Sequence, residues 1–180
     1  MLQITVKGAT LYDEKTNRII IAKDTTLQLE HSLVSLSKWE SKWKVHYLNN
    51  DELTPEMSID YVRCMTTTQN VDPQIYSYLT ESDMKRIREY IDDPMTATTF
   101  KNNKRPPNRQ IITAEIIYYW MVALQIPFDP CQKWHLNRLL TLIRVCDDKN
   151  SPKKKMSKRD AMNQQRSLNA ARRAKYNTTG

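Results

Sequence analysis

The sequence predicts an α+β fold that is mainly α, with a small N-terminal antiparallel β element, a helical domain and a basic C-terminal arm. Three observations lead there. Apolar residues alternate at the N-terminus and change to three- and four-residue spacing at Leu29. The helical spacing then recurs in blocks broken by proline and capping residues. The formal charge of +8 on the 180-residue chain is confined to its last thirty positions. The expected organisation is one globular domain over 1–150, with 1–30 as the β element and 31–150 helical, followed by an arm over 151–180 that is flexible or a lone helix.

Leu2, Ile4 and Val6 alternate with Gln3, Thr5 and Lys7, and short strand-like runs follow at Ile19 to Ala22 and Leu27 to Leu29, so a small antiparallel sheet or meander is expected. Leu29, Leu33, Leu36, Trp39, Trp43 and Tyr47 then share one helical face. Pro55 suits the first turn of a second helix, carrying Met57, Tyr61, Val62 and Met65, because its missing N–H would be unpaired there in any case. Thr80 with Asp83 forms a capping box before Met84, Ile87 and Ile91, and Pro94 closes that third helix. Residues 95–109, with four Asn and Pro residues at 102, 103, 106 and 107, read as a loop.

The strongest apolar pattern is Ile112, Ile116, Ile117, Trp120, Met121 and Leu124, a helix that ends before Pro127. Asp129, Pro130 and Gln132 offer a cap, a first-turn proline and a third-position glutamine, so the next helix is expected to start there and to carry Trp134, Leu136, Leu139, Leu140, Ile143 and Cys146. The pair reads as an antiparallel helical hairpin over 112–147. Beyond it, Ser157 to Asp160 gives another capping box, and Gln164 to Lys175 are mostly good helix formers without an apolar stripe. In a helical arm Lys155, Arg159, Arg166 and Arg173 fall near one face.

Nine basic residues (Lys153, Lys154, Lys155, Lys158, Arg159, Arg166, Arg172, Arg173 and Lys175) and one acid, Asp160, occupy 151–180, leaving 19 basic and 19 acidic residues in 1–150. A neutral globule therefore bears a basic appendage. Such an arm neutralises phosphates of nucleic acid, docks on an acidic protein, or keeps a sticky complex soluble. Glycine occurs only at 8 and 180, which leaves no Gly-rich phosphate loop, dinucleotide fingerprint or nucleophile elbow. Three cysteines without a C-x-x-C pair fit a reducing cytoplasm, and the N-terminus lacks the basic-then-apolar pattern of a signal peptide. The longest apolar run, Ile116 to Leu124, is nine residues, against the ~20 a membrane helix requires.

Each candidate for chemistry has a plainer reading. Cys131 and His135, at i and i+4, supply two ligands where a zinc site takes three or four, so a buried thiol beside a helix-surface imidazole is expected and no metal or cofactor is assigned. His31 and His46, at the ends of the first long helix, read as cap or surface residues, and Glu52, Glu56 and Asp60 as a solvated helix face. No catalytic residue is assigned. An enzyme would require a pocket that gathers His31, His46 or His135 with carboxylates. Trp39, Trp43, Trp120 and Trp134 fit core burial by their spacing, and where exposed they are candidate anchors for a partner helix.

The segments Leu29 to Trp43, Pro94 to Thr98, Ile116 to Met121, Lys133 to Leu140 and Leu168 to Arg173 together resemble uncharacterised proteins of long-tailed bacteriophages. The resemblance runs over nearly the whole chain, to proteins encoded among tail morphogenesis genes and similar in size and helical content to tail assembly chaperones. It implies a non-enzymatic chaperone in the host cytoplasm that binds the tape measure protein, tail tube subunits, or both. The alternative is a nucleic-acid-binding or head-tail completion protein that uses the basic arm.

Overall fold

The computed structural model describes residues 1–8, 10–13, 18–21, 23–50, 52–100, 111–150 and 158–177. Ala22, the 101–109 part of the expected loop and the Ser157 cap lie outside them. The chain divides into two units, Met1–Asp147 and Asp148–Gly180. The first is helical with antiparallel β structure at its N-terminus, an α+β fold.

The strands are β1 (Leu2–Val6), β2 (Thr10–Asp13), β3 (Arg18–Ile21) and β4 (Thr25–Leu29). β1 pairs with β4 and β2 with β3, both antiparallel. Val6 lies opposite Thr25 and Thr10 opposite Ile21, so the two two-stranded sheets share one register. Among the described residues the strands do not form a meander. Period-two alternation sends Ile4, Val6, Leu27 and Leu29 inward, while Thr5 and Thr26 hydrogen-bond each other outside at 3.0 Å. The free edge of β4 is covered by residues 66–68: the Thr67 amide donates to the Gln28 carbonyl (2.8 Å), and the Gln28 amide to Thr68 Oγ1 (2.8 Å).

Helix α1 (Leu33–Trp43) starts at a Ser32–Ser35 capping box and ends at Lys44 in the left-handed region, shorter at both ends than its apolar spacing suggested. Helices α2 (Pro55–Met65), capped by Thr54, and α3 (Glu81–Asp92), capped by the Thr80–Asp83 box, start where the sequence places them. A 3-10 helix (Pro73–Tyr78), capped by Asp72, lies between them and buries Ile75 and Tyr76. Helix α4 (Ala114–Ala123) packs beside α1, as does α2.

The expected helix start at Pro130 is not observed. Asp129 keeps extended backbone (φ −98°, ψ 128°), as a residue before proline prefers, and only one turn, α5 (Phe128–Cys131), forms there. Helix α6 (Leu136–Asn150) begins six residues after Pro130, with His135 at its head. The Leu136 amide donates to the His31 carbonyl (2.7 Å), and Ser32 bridges His135, which fastens the start of α6 to the chain leading into α1. The second unit contains α7 (Lys158–Tyr176).

The fold turns on Glu40, buried on α1. Its carboxylate accepts the Tyr47 amide at Oε1 (3.0 Å) and the Ala114 amide at Oε2 (2.8 Å). Thr113 makes no side-chain cap at the head of α4, so a residue 74 positions earlier supplies it. Burial raises the Glu40 carboxyl above its usual range, opposed by the same two amide bonds. Glu40→Ala strands two amides at about 1–3 kcal/mol each, so urea unfolding should show a loss of about 2–6 kcal/mol. Glu40→Gln, which keeps one good acceptor, should lose roughly half as much.

Candidate functional site

Helix α4 reads Ala-Glu-Ile-Ile-Tyr-Tyr-Trp-Met-Val-Ala, apolar on nearly every side. A helix of that kind is ordinarily enclosed. Ala114, Ile117 and Met121 do face the core, but Tyr119 is 67% exposed and Val122 62%. Ile111, 57% exposed, precedes the helix, and Phe128, 45% exposed, stands edge-on to Tyr118 with ring centroids 5.3 Å apart. The Tyr118 hydroxyl donates to Gln132 Oε1 (3.2 Å) and fixes that ring. Residues 119 and 122 lie one turn apart, so the helix presents apolar surface to solvent there, with exposed Glu115 one turn earlier on the same side.

The four tryptophans separate. Trp39 is fully buried, its indole N–H donating to the Met57 carbonyl (2.9 Å) and its ring packed among Trp43, Tyr47 and Tyr61. It is a core residue, which corrects its place among the anchors. Trp43, Trp120 and Trp134 are half-buried. Arg138 lies 4.2 Å over the Trp134 ring. Trp43 lines an open cavity of about 350 Å³ with Lys42, Glu56, Ile59, Asp60, Arg63 and Ser77.

Asp60, expected on a solvated face, is instead buried at that cavity's floor, while Glu52 and Glu56 are exposed. The Trp43 indole N–H donates to Asp60 Oδ2 (2.8 Å), and Lys42 and Arg63 pair with Oδ1. Burial alone would raise this carboxyl; the Lys42 and Trp43 hydrogen bonds and the two cations hold it below its ordinary value.

The histidines also differ from expectation. His31 and His135 are both buried, neither at the surface, with ring centroids 5.1 Å apart. The Tyr61 hydroxyl meets His31 Nδ1 at 2.7 Å. His135 Nε2 lies 2.9 Å from the Tyr90 carbonyl, which can only accept, so Nε2 carries the proton. Nδ1 is then free to accept the Asn137 amide (3.3 Å) and cap α6. The Tyr90 hydroxyl donates in turn to Glu30 Oε1 (2.7 Å). Neither histidine lines the Trp43 cavity. His46 is half-buried and stands apart from the pair. Cys131 is buried, and Cys64, Cys131 and Cys146 are unbridged. Among the described residues, no three His, Cys, Asp or Glu side chains are grouped to hold a metal, and no helix is long and apolar enough to cross a membrane.

Of the basic arm, Lys153, Lys154 and Lys155 lie outside the described residues. Lys158 opens α7, which carries Arg159, Arg166, Arg172, Arg173 and Lys175 exposed. The sequence did not single out Glu40 or Tyr119 and Val122: the first acts across 74 positions, and an all-round apolar helix gives no signal of which side is left open. No protein-family model, characterised protein or solved structure matches the chain.

The pair of buried imidazoles sets a pH dependence. Burial, then the neighbouring His135, lowers His31 from 6.5 to about 3. Burial lowers His135 too, against the Tyr90 carbonyl, Glu30 and Asp93, which favour its charged form, and with the N-terminal ammonium, which opposes it. The unfolded chain therefore takes up protons below about pH 6.5 that the folded chain refuses, and stability falls with pH by up to about 1.4 kcal/mol per unit for each histidine. Thermal melts should lose stability from about pH 6.5 to 4.5. His31→Asn should be less stable at neutral pH but show a shallower slope over that window.

Proposed function

We propose that this chain is a non-enzymatic assembly factor, a bacteriophage tail chaperone that holds the tape measure protein, and with it tail tube subunits, through apolar helical surface while the tail is built in the host cytoplasm. The resemblance of five segments to tail-cluster phage proteins supports the setting. The outward face of α4 carries the mode of action: Tyr119 and Val122 stand exposed on the most apolar of the described helices, flanked by Ile111 and Phe128. A tape measure chain is long, helical and partly apolar, and it must stay dispersed until tube subunits enclose it. A protein that serves it offers apolar contact on a firm support and needs no reacting group. Trp120 and Trp134, half-buried on α4 and just before α6, and Trp43 on α1 are the remaining candidate anchors.

Co-expression with a tape measure protein of a long-tailed phage is the test. The full chain should raise the soluble yield of that protein and copurify with it. Tyr119→Glu with Val122→Glu should reduce the copurified complex by at least about tenfold, because two charges enter a face that has to lose its water. Both positions are exposed, so the variant's own stability should stay within about 0.5 kcal/mol of the parent. Unchanged solubility and no complex with the parent chain would overturn the reading.

A further inference from the structure

We propose that α7 is a nucleic-acid-binding helix, one that seats in the major groove of duplex DNA with its arginines on the phosphates at the groove's edges. This rests on α7 alone and is independent of the chaperone reading. Every described side chain of α7 from Met162 to Tyr176 is exposed, as is Arg159, so the helix buries no face of its own. Its composition is segregated around the axis. At about 100° per residue, Arg159, Arg166 and Arg173 fall within about 40° of one another, because a seven-residue step drifts only ~20°. Arg172 stands about 100° round from Arg173, and Gln165, Tyr176, Asn169 and Met162 occupy the arc between them. The other half of the helix presents Asn163, Gln164, Ser167, Ala170, Ala171 and Ala174, with Lys175 at its margin and no arginine.

One face therefore carries two amides with arginine on both sides. The row of three arginines is about 21 Å long at 1.5 Å per residue. A helix with its side chains is about as wide as the B-form major groove, ~12 Å, and in that seat the central Gln165 and Asn169 approach base edges while the flanking arginines reach phosphates. Four of the five exposed cations are arginine, whose planar fork suits phosphate oxygens. A lipid surface is a poorer match: Leu168 lies about 120° from Met162, with Arg172 and Asn169 between, so there is no continuous apolar stripe to insert. The rest of the chain, formally neutral over 1–150, adds no net attraction or repulsion for a polyanion.

Fluorescence anisotropy of the full chain with a labelled DNA duplex of about 20 base pairs tests this. Four phosphate contacts predict a roughly hundredfold loss of affinity between 50 and 200 mM salt. Replacing Arg159, Arg166, Arg172 and Arg173 with glutamine preserves helix propensity and should lower affinity by at least about tenfold. The variant Lys7→Gln, Lys38→Gln, Lys85→Gln, Arg88→Gln removes the same charge from exposed positions of the first unit and should change affinity by less than about threefold. The proposal fails if the arginine variant binds as tightly as the parent, or if both variants lose affinity equally. It also fails if polyglutamate, an RNA duplex or anionic phospholipid vesicles bind more tightly than the DNA duplex.

Discussion

The first unit depends on the inward side of residues 30–40, where polar groups of Glu30, His31, Trp39 and Glu40 are withdrawn from water and answered by other parts of the chain. The Glu30 amide reaches the Met65 carbonyl, the His31 carbonyl takes the Leu136 amide, the Trp39 indole reaches Met57, and Glu40 holds Ala114. Three distant segments, α2 and the heads of α4 and α6, are thereby fixed to α1 and the residues leading into it by directional bonds as well as by apolar contact. An unanswered group in such a place costs a large part of a domain's net stability. The hydrophobic side chains bring α2 and α4 to α1; the hydrogen bonds decide at what height each one stops.

This division of labour explains what could be read in the sequence. Periodicity and capping are local, and they located β1, β4, α2 and α3 from alternation, Pro55 and the Thr80–Asp83 box. What depended on partners far along the chain was not legible. His31 and His135 each look like a terminal or surface residue within their own segment, and only the approach of α6 to the 31–34 stretch makes them a buried pair. Asp60 sits at a spacing that suggests a wet helix face, yet Lys42 and Trp43 of α1 enclose it. The start of α6 was misplaced for a related reason: Asp129 and Pro130 carry a local cap signal, but backbone that precedes proline resists the helix, and His135 supplies the cap that works.

The candidate binding face illustrates a different limit. The apolar run Ile116 to Leu124 buries Ile117 and Met121, half-buries Ile116, Tyr118, Trp120 and Leu124, and leaves Tyr119, Val122 and Ala123 exposed. Because the run is apolar all round, nothing in its pattern distinguishes Ile117, sealed in the core, from Tyr119, standing in solvent. Amphipathic patterning reports where a protein's own surface lies; an exposed face meant for another chain is apolar like the core and erases that report.

Helix α7 is the opposite case, legible in charge and silent in packing. Nineteen residues with every described side chain exposed have little apolar burial to offset the entropy of ordering their backbone, and a helix of that length is marginal in water on its own. Its arginines at seven-residue intervals repel one another along a single row, which weakens it further. A partner that lays negative charge along that row removes the repulsion and adds contact at once, so binding and helix formation reinforce each other. Under the proposed binding no apolar stripe is required. A helix stabilised by its own domain needs one, whereas a helix stabilised by a polyanion is better served by small and amide side chains that let the arginines approach.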